Sequence, residues 1–397
     1  MLTVQEAQKL IKKQATSFGW EEVPLEKAAG RVLYENVLAE RDYPPFNRSA
    51  MDGFAVRAED LKKYSALEIV GEVFAGDNPG VITEAGRCVK IMTGAALPKG
   101  ANAVIRVEDS LIIESKAKFE IKETKEWANI AKRGEDARQG EIIVKKSSVC
   151  NPSVIAQLAA NGQKHVKVFK TPTVAIISTG NEIKDVHESV TDYQIRNSNS
   201  SALAAFLSAY NIPAHKRFIV PDKKEDIEQA LKLSLGADII ILTGGVSMGD
   251  ADFVPDVLKD AGIENLFHKV QIKPGKPIWF GNYGTTVVFA LPGNPFSCQV
   301  AFKVFIEPFL RACFGLPELK ILKLPIREYK KKKTKFEEYF PCRIVTDNSI
   351  NWAEPVLFNG SGDITKSSPS DGLAIHIAEV DDLYPGKIVD FLFWSTI

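Results

Sequence analysis

The chain has 397 residues, too many for a single hydrophobic core, so roughly two to four domains are expected. Charged residues make up 25% of the sequence and hydrophobic residues 45%, the usual balance of a globular protein in water. The 50 acidic and 50 basic residues cancel, so no overall positive field favours binding to nucleic acid or to an anionic membrane.

No apolar run approaches the ~20 residues that cross a membrane, and the N-terminus has a helical pattern rather than that of a signal peptide. The five cysteines and five histidines are dispersed, with neither a CxxC pair nor metal-ligand spacing. An odd, scattered set of cysteines fits reduced thiols better than a disulfide framework. We therefore expect a cytoplasmic protein without a zinc site.

The first elements along the chain are helical. Thr3-Val-Gln-Glu6 is a capping-box pattern, and the apolar spacing that follows predicts a helix through Ile11. A second helix is predicted over Leu25 to Val37. Pro44-Pro45 then ends the helical pattern.

A β-rich region follows, from about Met51 to Ile143. Its apolar segments are short, alternating and bounded by turns: ALEIVGEVF, RCVKIM, AVIRVED, LIIES and KFEIKE. The helical pattern returns in SVIAQLAANG, with Gly162 as the expected C-cap. Helical segments on both sides indicate that the β-rich module is inserted into an N-terminal helical domain.

From Pro172 onward, apolar strand-like runs alternate with helical ones. TVAIIS, DIIIL and TTVVFA alternate with stretches such as SALAAFLSAYN and KEDIEQALKLSLG, which predicts a doubly wound parallel sheet. After about Leu316 the pattern is strand-like to the C-terminus. The run Lys330–Lys333 with Lys335 has no interleaved aromatics and is interpreted as a solvated edge, with a nucleic-acid patch as the less favoured alternative.

The predicted fold class is therefore α/β plus β, in several domains. The expected units are an N-terminal helical and linker domain at 1–48 and 144–170, an inserted β-rich domain at 49–143, a doubly wound α/β domain at 171–316, and a C-terminal β-barrel-like domain at 317–397.

Three glycine-containing loops crowd into residues 243–295 of the α/β unit. They are TGGVSMGDAD at 243–252, KPGKP at 273–277 and LPGNP at 291–295. Glycines bring backbone N–H groups close to a ligand, and a helix start adds partial positive charge, so phosphate binding is expected. Ligands of such sheets bind at the carboxyl ends of the strands, where these loops fall. Any one of these loops alone is also compatible with an ordinary structural turn.

Carboxylates accompany these loops and other turn-rich segments of the chain. A carboxylate beside a polyphosphate repels it unless a divalent cation lies between them, so Mg²⁺ is implied together with phosphate. Glu182, after the first α/β strand, and Asp252 are the candidate metal ligands, although Glu182 and Asp136 are also compatible with ordinary exposed carboxylates. The structural alternative for Asp252 is an N-cap of the following helix.

The motifs occur together and in order. SAMDGFAV, IMTGAALPKGANAV, RGEDARQG, STGNE, TGGVSMGDADF, IKPGKP and LPGNP resemble the motif series of the molybdopterin molybdenumtransferase family, which includes the C-terminal enzyme domain of gephyrin. The resemblance extends from the N-terminal helix to the GSGDI stretch near residue 360. The α/β unit alone also resembles the related molybdopterin adenylyltransferases.

The resemblance implies an enzyme of molybdenum cofactor synthesis. Such an enzyme inserts molybdate into adenylylated molybdopterin and releases AMP by Mg²⁺-dependent hydrolysis. Family members are homodimers with the active site in a cleft between subunits, and a molybdopterin adenylyltransferase and molybdoenzyme maturation proteins are the expected partners. Neither nucleic acid nor a membrane is expected as a partner.

The resemblance, together with the loop residues described above, indicates two sets of site residues. The catalytic set is Asp52, Thr93, Asp136, Glu182, Asp222 and Asp252. The ligand-binding set is Thr243, Gly244, Gly245, Ser247, Lys269, Lys273, Lys276, Pro292, Gly293, Asn294, Pro295 and Ser361.

Three positions depart from the family pattern, because Asn102, Asn181 and Asn197 stand where Asp is usual. Each exchange removes one negative charge. We expect these exchanges to tune metal affinity rather than abolish activity, since Asp136, Glu182 and Asp252 are retained.

Three other functions are less consistent with the motifs. Adenylyl transfer from ATP to molybdopterin is disfavoured because the α/β unit alone suffices for it. A non-catalytic scaffold is disfavoured by the retained acidic and lysine positions. A general phosphate-binding protein would require the motif order to be coincidental. The sequence leaves open whether molybdate or tungstate is the physiological oxyanion.

Overall fold

The computed structural model describes residues 1–246 and 252–395. Its first helix, α1 (Val4–Lys13), begins as predicted. The Thr3 hydroxyl accepts the Glu6 N–H at 3.2 Å, and the Thr3 N–H donates to the Glu6 carboxylate at 2.8 Å, which completes the capping box. The buried side of α1, which includes Ile11, packs into the core of the α/β unit.

The predicted second helix is wrong. Leu25–Lys27 forms a single 3₁₀ turn, and Gly30 then adopts a positive φ of 73°. Val32 and Leu33 form β-bridges to segments more than a hundred residues away, so their apolar side chains bury against distant strands rather than along a helix. The strands of this part are β1 (Trp20–Pro24), β2 (Val37–Leu38) and β3 (Arg48–Ser49).

The next part is β-rich, as predicted. A six-stranded sheet has the order β7-β4-β6-β5-β9-β8, with β5 and β6 parallel and the other pairs antiparallel. Its elements, with two short flanking strands, are β4 (Gly53–Val56), α2 (Asp60–Lys63), β5 (Leu67–Val73), β6 (Arg87–Ile91), β7 (Ala103–Arg106), β8 (Ser110–Ile113), β9 (Lys116–Phe119), β10 (Ile130–Ala131) and β11 (Ile142–Val144).

The chain then returns to the N-terminal strands. Helix α3 (Pro152–Ala160) is capped by Asn151 and ends before Gly162, whose φ is 73°. Strand β12 (His165–Phe169) pairs antiparallel with β1, and β11 pairs with β2. These pairings bring the two sides of the β-rich module together, and the domain boundaries given above stay predictions.

The α/β unit contains a six-stranded sheet of order β16-β13-β17-β21-β20-β18. The first four strands are parallel, as expected, and β20 and β18 extend the sheet antiparallel. The elements are β13 (Val174–Thr179), β14 (Ile183–Lys184), β15 (Ile195–Arg196), α4 (Ser198–Ser208), β16 (Ala214–Val220), α5 (Lys224–Ser234), β17 (Ile239–Thr243), α6 (Val254–Asp260), β18 (Glu264–His268), β19 (Ile272–Lys273), β20 (Trp279–Tyr283), β21 (Thr286–Leu291), α7 (Pro295–Ala301) and α8 (Glu307–Cys313).

A π-helical segment, Phe302–Ile306, joins α7 to α8. Pro308 has no N–H to donate to the carbonyl of Val304, four residues earlier. The Gln8 side chain from α1 donates to that carbonyl at 2.9 Å instead. The proline therefore explains the local irregularity, and α1 satisfies the carbonyl that it leaves free.

The C-terminal part is a second mixed sheet, of order β19-β23-β25-β26-β22 with β24 paired to β23. Strand β19 pairs parallel with β23, which joins this sheet to the α/β unit. The elements are β22 (Leu322–Pro325), β23 (Glu337–Asp347), β24 (Ile350–Pro355), α9 (Ile364–Ser367), β25 (Gly372–His376) and β26 (Ile388–Phe393). Within the described residues, every helix is too short or too polar to serve as a membrane span.

Candidate active site

A cavity of about 440 Å³, here called cavity A, lies where the parallel strands end. Thr179, the last residue of β13, lines it, as do Gly244 and Pro292, which directly follow β17 and β21, so the cavity lies where such sheets bind ligands. Its lining includes six of the twelve predicted ligand-binding residues and three of the predicted carboxylates: Gly244, Gly245, Pro292, Gly293, Asn294, Pro295, Glu182, Asp222 and Asp252.

The TGG loop needs its glycines. Gly244 has a φ of 93° and Gly245 a φ of 63°, both in the left-handed region. A Cβ on Gly244 would lie 2.5 Å from the carbonyl oxygen of Thr179. The Gly244 N–H donates to the Leu291 carbonyl at 3.1 Å, so this loop is fixed against the start of the LPGNP loop.

The three carboxylates of cavity A influence one another. Burial raises the pKa of Asp222, and the like charges of Glu182 and Asp252 raise this pKa further, whereas the nearby Thr179 hydroxyl lowers it. Phe253, and not Asp252, is the N-cap residue of α6, so the N-cap alternative for Asp252 is not what the structure has. Negative charge is thus concentrated beside loops suited to a phosphate.

A bound Mg²⁺ fits this donor set only together with substrate oxygens. Within residues 1–246 and 252–395, no three His, Cys, Asp or Glu side chains form a group able to hold a metal ion by themselves. Mg²⁺ prefers oxygen ligands and is commonly held by one or two carboxylates plus phosphate oxygens and water. Glu182 and Asp252 match that arrangement, and they share cavity A with Asp222, whose pKa is raised.

A second cleft of about 720 Å³, here called cavity B, lies between the α/β unit and the C-terminal sheet. Lys273 and Lys276 of the KPGKP loop line it, as do Ser361 and the aromatic rings of Phe336 and Phe340. The Lys276 ammonium lies 5.7 Å from the centre of the Phe336 ring. Cavity B therefore combines positive charge with flat apolar surface.

The interpretation of Lys330–Lys333 as a solvated edge is only partly correct. Lys330 pairs with Glu338 at 3.1 Å and lies over the Phe340 ring, so its charge is held inside the fold. Lys332 donates to the backbone carbonyls of His376 and Ile377. Lys331 and Lys333 line cavity B, so the run contributes to a cleft that the lysine pattern alone did not indicate.

The LPGNP loop, residues 291–295, separates the two cavities and is here called the wall loop. Pro292 and Asn294 line both cavities. The Asn294 amide donates to the Ser361 hydroxyl at 2.9 Å, and the Phe296 N–H donates to the Ser361 carbonyl at 2.9 Å. Ser361 of the C-terminal part therefore holds the wall loop on the side of cavity B.

Other predicted residues lie elsewhere. Asp52 is exposed, and its carboxylate accepts hydrogen bonds from the N–H and the hydroxyl of Thr93 at 2.6 and 2.8 Å. These two hydrogen bonds lower the pKa of Asp52. Asp136 is exposed on a separate groove beside α3. The described residues that line cavities A and B include none of these three. The structure therefore does not bring them to the strand ends within one copy of the chain.

Two members of the ligand-binding set, Thr243 and Lys269, lie outside the described lining of both cavities. The Thr243 side chain is fully buried, and its hydroxyl donates to the Ser178 hydroxyl at 3.1 Å, so it stabilises the start of the TGG loop from within the core. Lys269 adopts a φ of 72°, donates its N–H to the Ile278 carbonyl, and is not among the described lining of either cavity. Ser247 lies outside the described residues.

The three asparagines at the departing positions all act as hydrogen-bond acceptors. The Asn197 side chain caps α4 by accepting the Ser200 N–H at 3.1 Å. Asn181 accepts the N–H of Asp222 at 3.2 Å. Asn102 accepts the N–H of Ala58 at 2.7 Å. An amide oxygen fills each of these roles without adding charge.

Three polar residues that line cavity A were not among the predicted site residues. They are Thr179 at the end of β13, Arg196 at the end of β15 and Asn199 in the first turn of α4. Arg196 donates to the carbonyls of Val186, at 2.8 Å, and of Glu188, which fixes the loop after β14. The polar run Asn197-Ser-Asn199 before a helical pattern was the available signal for Asn199.

Two family models match the chain. A model described as the MoeA N-terminal region (domain I and II) matches residues 2–162, and one described as a probable molybdopterin binding domain matches residues 175–312. A curated molybdopterin molybdenumtransferase from Staphylococcus aureus (strain COL) is 32% identical over 373 residues, which cover 91% of this chain and 88% of the relative. The chain belongs to the molybdopterin molybdenumtransferase family.

Further members of the family agree in length and in fold. The molybdopterin molybdenumtransferase of Staphylococcus epidermidis RP62A is 30% identical over 400 residues, 98% of this chain and 95% of that protein. The crystal structure of a molybdopterin biosynthesis moeA protein from Pyrococcus horikoshii OT3 superposes with a TM-score of 0.86 at 29% identity, covering 99% of this chain and all of that one. The family and fold class expected from the motifs are confirmed.

Proposed function

We propose that this molybdopterin molybdenumtransferase inserts molybdate into adenylylated molybdopterin and releases AMP by Mg²⁺-dependent hydrolysis of the phosphoanhydride. Family membership assigns the chain to molybdenum cofactor biosynthesis by molybdenum insertion. The observation that carries the finer proposal is the pair of adjoining cavities. One contains carboxylates and strand-end loops, and the other contains lysines and aromatic rings.

The charges of the two cavities suit an elongated anionic substrate. Lys273, Lys276, Lys331 and Lys333 line cavity B and would attract phosphate or molybdate oxygens. Its aromatic rings offer a flat surface for a pterin, and cavity A then receives the nucleotide end. The wall loop lies between them, where the two halves of the substrate are joined.

The carboxylates of cavity A would hold the Mg²⁺. Glu182 and Asp252 are the proposed ligands, and the ion would neutralise phosphoanhydride charge while the bond is broken. Asp222, whose pKa is raised by burial and by its acidic neighbours, is suited to bind and orient a water molecule beside the phosphate. The backbone N–H groups of the strand-end loops would hold the phosphate oxygens.

A second copy of the chain would complete the site. Asp52, Thr93 and Asp136 match family motifs but lie apart from cavities A and B. A homodimer in which this surface faces the cavities of the partner would unite both sets. A molybdopterin adenylyltransferase as supplier of the substrate, and a cytoplasmic location, accompany the proposal.

The test is turnover with the defined substrate. The chain is mixed with adenylylated molybdopterin, Mg²⁺ and molybdate, and both AMP release and formation of the molybdenum cofactor are measured. Molybdate-dependent release of AMP with formation of the cofactor is expected, and its absence would reject the proposal. A parallel reaction with ATP and molybdopterin, without molybdate, tests the adenylyltransferase alternative, which predicts adenylylated product.

A further inference from the structure

Asn199 is held at one end of its amide and unpartnered at the other. Its side chain is buried, with 6% exposed, and it lines cavity A. The Nδ2 group donates to the Gly293 carbonyl of the wall loop at 2.7 Å. The Oδ1 atom is buried and has no hydrogen-bond partner within the described part of the chain. A buried amide oxygen left in this state is costly, so a donor is expected to meet it when the site is filled.

The first turn of α4 surrounds this amide. The helix is 11 residues long, and its Asn197 cap leaves Ser198 and Asn199 on the lining of cavity A. The start of a helix attracts an anion through its N–H groups and partial positive charge. A neutral amide oxygen instead accepts from O–H or N–H groups and repels phosphate or molybdate oxygens. A ligand that satisfies both must carry an anionic group and a hydrogen-bond donor close together.

The two cavities differ in which half of the substrate they can serve. The described lining of cavity A is polar and aliphatic, with no aromatic ring. Cavity B contains the rings of Phe336, Tyr339, Phe340 and Phe358, and it is the larger of the two. A flat pterin is better accommodated by the rings of cavity B. The nucleotide half, with its phosphate and its ribose and adenine donors, would therefore lie on the side of Asn199.

We propose that Asn199 contacts the nucleotide of the substrate. Its Oδ1 accepts a hydrogen bond from a ribose hydroxyl or from the adenine amino group, while its Nδ2 keeps the wall loop in position through Gly293. This inference rests on the proposed function, because adenylylated molybdopterin supplies the nucleotide. Asn199 would then distinguish an adenosine phosphate from close analogues that lack the donor.

The test measures the affinity of four nucleotides for four proteins. AMP, 2′-deoxy-AMP, 3′-deoxy-AMP and IMP are titrated calorimetrically into the wild type, Asn199→Ser, Asn199→Leu and the control Asn265→Leu. Asn265 is exposed on strand β18 and is not among the described lining of either cavity. Asn265→Leu therefore makes the same exchange as Asn199→Leu at a position away from the site. Asn199→Ser adds no apolar bulk, which keeps a folded variant available if Asn199→Leu is unstable.

Each analogue lacks one of the groups that could donate to Oδ1 of Asn199. The wild type and the control should bind the analogue that lacks the actual donor about tenfold more weakly than AMP, the size of effect expected for one lost hydrogen bond. Both Asn199 variants should bind AMP about tenfold more weakly than the wild type does and should no longer distinguish it from that analogue. If the variants only shifted the wall loop, the binding of all four nucleotides would weaken and the preference for AMP would remain.

Two results would overturn the inference: Asn199 variants that retain the wild-type preference for AMP, or a wild type that binds all four nucleotides alike or none of them. Either result combined with normal molybdate-dependent AMP release would reject the role of Asn199 and leave the proposed function standing. Loss of that turnover in the wild type would instead reject the function.

Discussion

The side-chain amide of Asn294 donates a hydrogen bond to the hydroxyl of Ser361 at 2.9 Å, across the boundary between the α/β unit and the C-terminal sheet. Gly360, which precedes Ser361, has a φ of 106°, so its backbone turns sharply to present the serine. The two residues are 67 positions apart in the chain. This contact fixes the wall loop from the side opposite to Asn199.

Replacing Ser361 by alanine should impair catalysis, because the wall loop is then held less firmly. The Asn294 contact is lost, whereas the backbone bond from Phe296 to the carbonyl of residue 361 remains. Loss of one such bond corresponds to about 1 kcal/mol, so kcat/KM for AMP release should fall about fivefold. The matched control is Ser368→Ala, since Ser368 is exposed and its hydroxyl donates to the nearby Thr365 carbonyl. Equal kcat/KM for Ser361→Ala and the control would contradict the prediction.

Asp252→Ala should abolish the Mg²⁺-stimulated part of AMP release and leave the fold intact. Asp252 lies in cavity A with Glu182 and Asp222, and removing its charge leaves too few carboxylates beside the phosphates. Release is measured across a Mg²⁺ titration, with circular dichroism as the check on folding. Asp256→Ala, an exposed carboxylate in the same helix region, serves as the control. Unchanged Mg²⁺ dependence in Asp252→Ala would remove this residue from the metal site.

Gly244→Ala should destabilise the protein and disturb cavity A. The new Cβ would meet the Thr179 carbonyl oxygen at 2.5 Å, at a φ of 93° that side chains rarely adopt. Together these effects should lower the free energy of unfolding by about 2–4 kcal/mol, measured by urea denaturation. At Gly236 a Cβ would meet open space, so Gly236→Ala should stay within about 1 kcal/mol of the wild type. Equal stability of the two variants would mean that the TGG loop is not constrained as described.

The sequence predicted the strand-end loops because their signals are local. Gly244 follows an apolar strand, and Asn294 precedes a helix that begins with Pro295, so spacing alone locates both turns. The bond from Asn199 to Gly293 joins residues 94 positions apart, and no local pattern encodes such a contact. The position of the wall loop between the two cavities therefore could not be predicted from the sequence, although the loop itself was recognisable.

The errors have the same origin. Leu25 to Val37 has apolar residues at helical spacing, but Val32 and Leu33 bury against β12 and the segment before α3, a tertiary preference that overrides the local one. Lys330 belongs to a charged run that is typical of a solvated edge, yet it is largely buried because it pairs with Glu338 of β23. In both places a partner distant in sequence, or on another element, decides the outcome.

The five cysteines should be unreactive in the folded protein. All five are free and buried, and burial raises the pKa of Cys88, Cys298 and Cys313 to about 12 and that of Cys150 to about 11. Burial raises the pKa of Cys342 as well. Because the thiolate is the reactive form, Ellman's reagent should detect almost no thiol in the native state and all five after denaturation. Rapid labelling of any native cysteine would contradict its described burial.

His376 should make stability depend on pH in the acid range. Burial lowers the pKa of this histidine from 6.5 to about 4, with Lys332 and Lys330 adding like-charge repulsion and Glu338 opposing them. The folded state thus keeps the ring neutral, while the unfolded chain takes up a proton below pH 6.5. Stability contributed by the neutral ring is present above pH 6.5 and is lost as the pH falls toward 4.

The variant His376→Gln isolates this effect. Its amide can still donate to the Val380 carbonyl, which the histidine Nε2 contacts at 3.1 Å, but it does not titrate. The drop in unfolding free energy between pH 7 and pH 4.5 should be smaller in the variant than in the wild type by about 2 kcal/mol. His165→Gln, at an exposed position on β12, should leave that drop unchanged. Urea denaturation at a series of pH values measures the difference, and parallel curves for the wild type and His376→Gln would show that the buried ring does not govern the acid sensitivity of the C-terminal sheet.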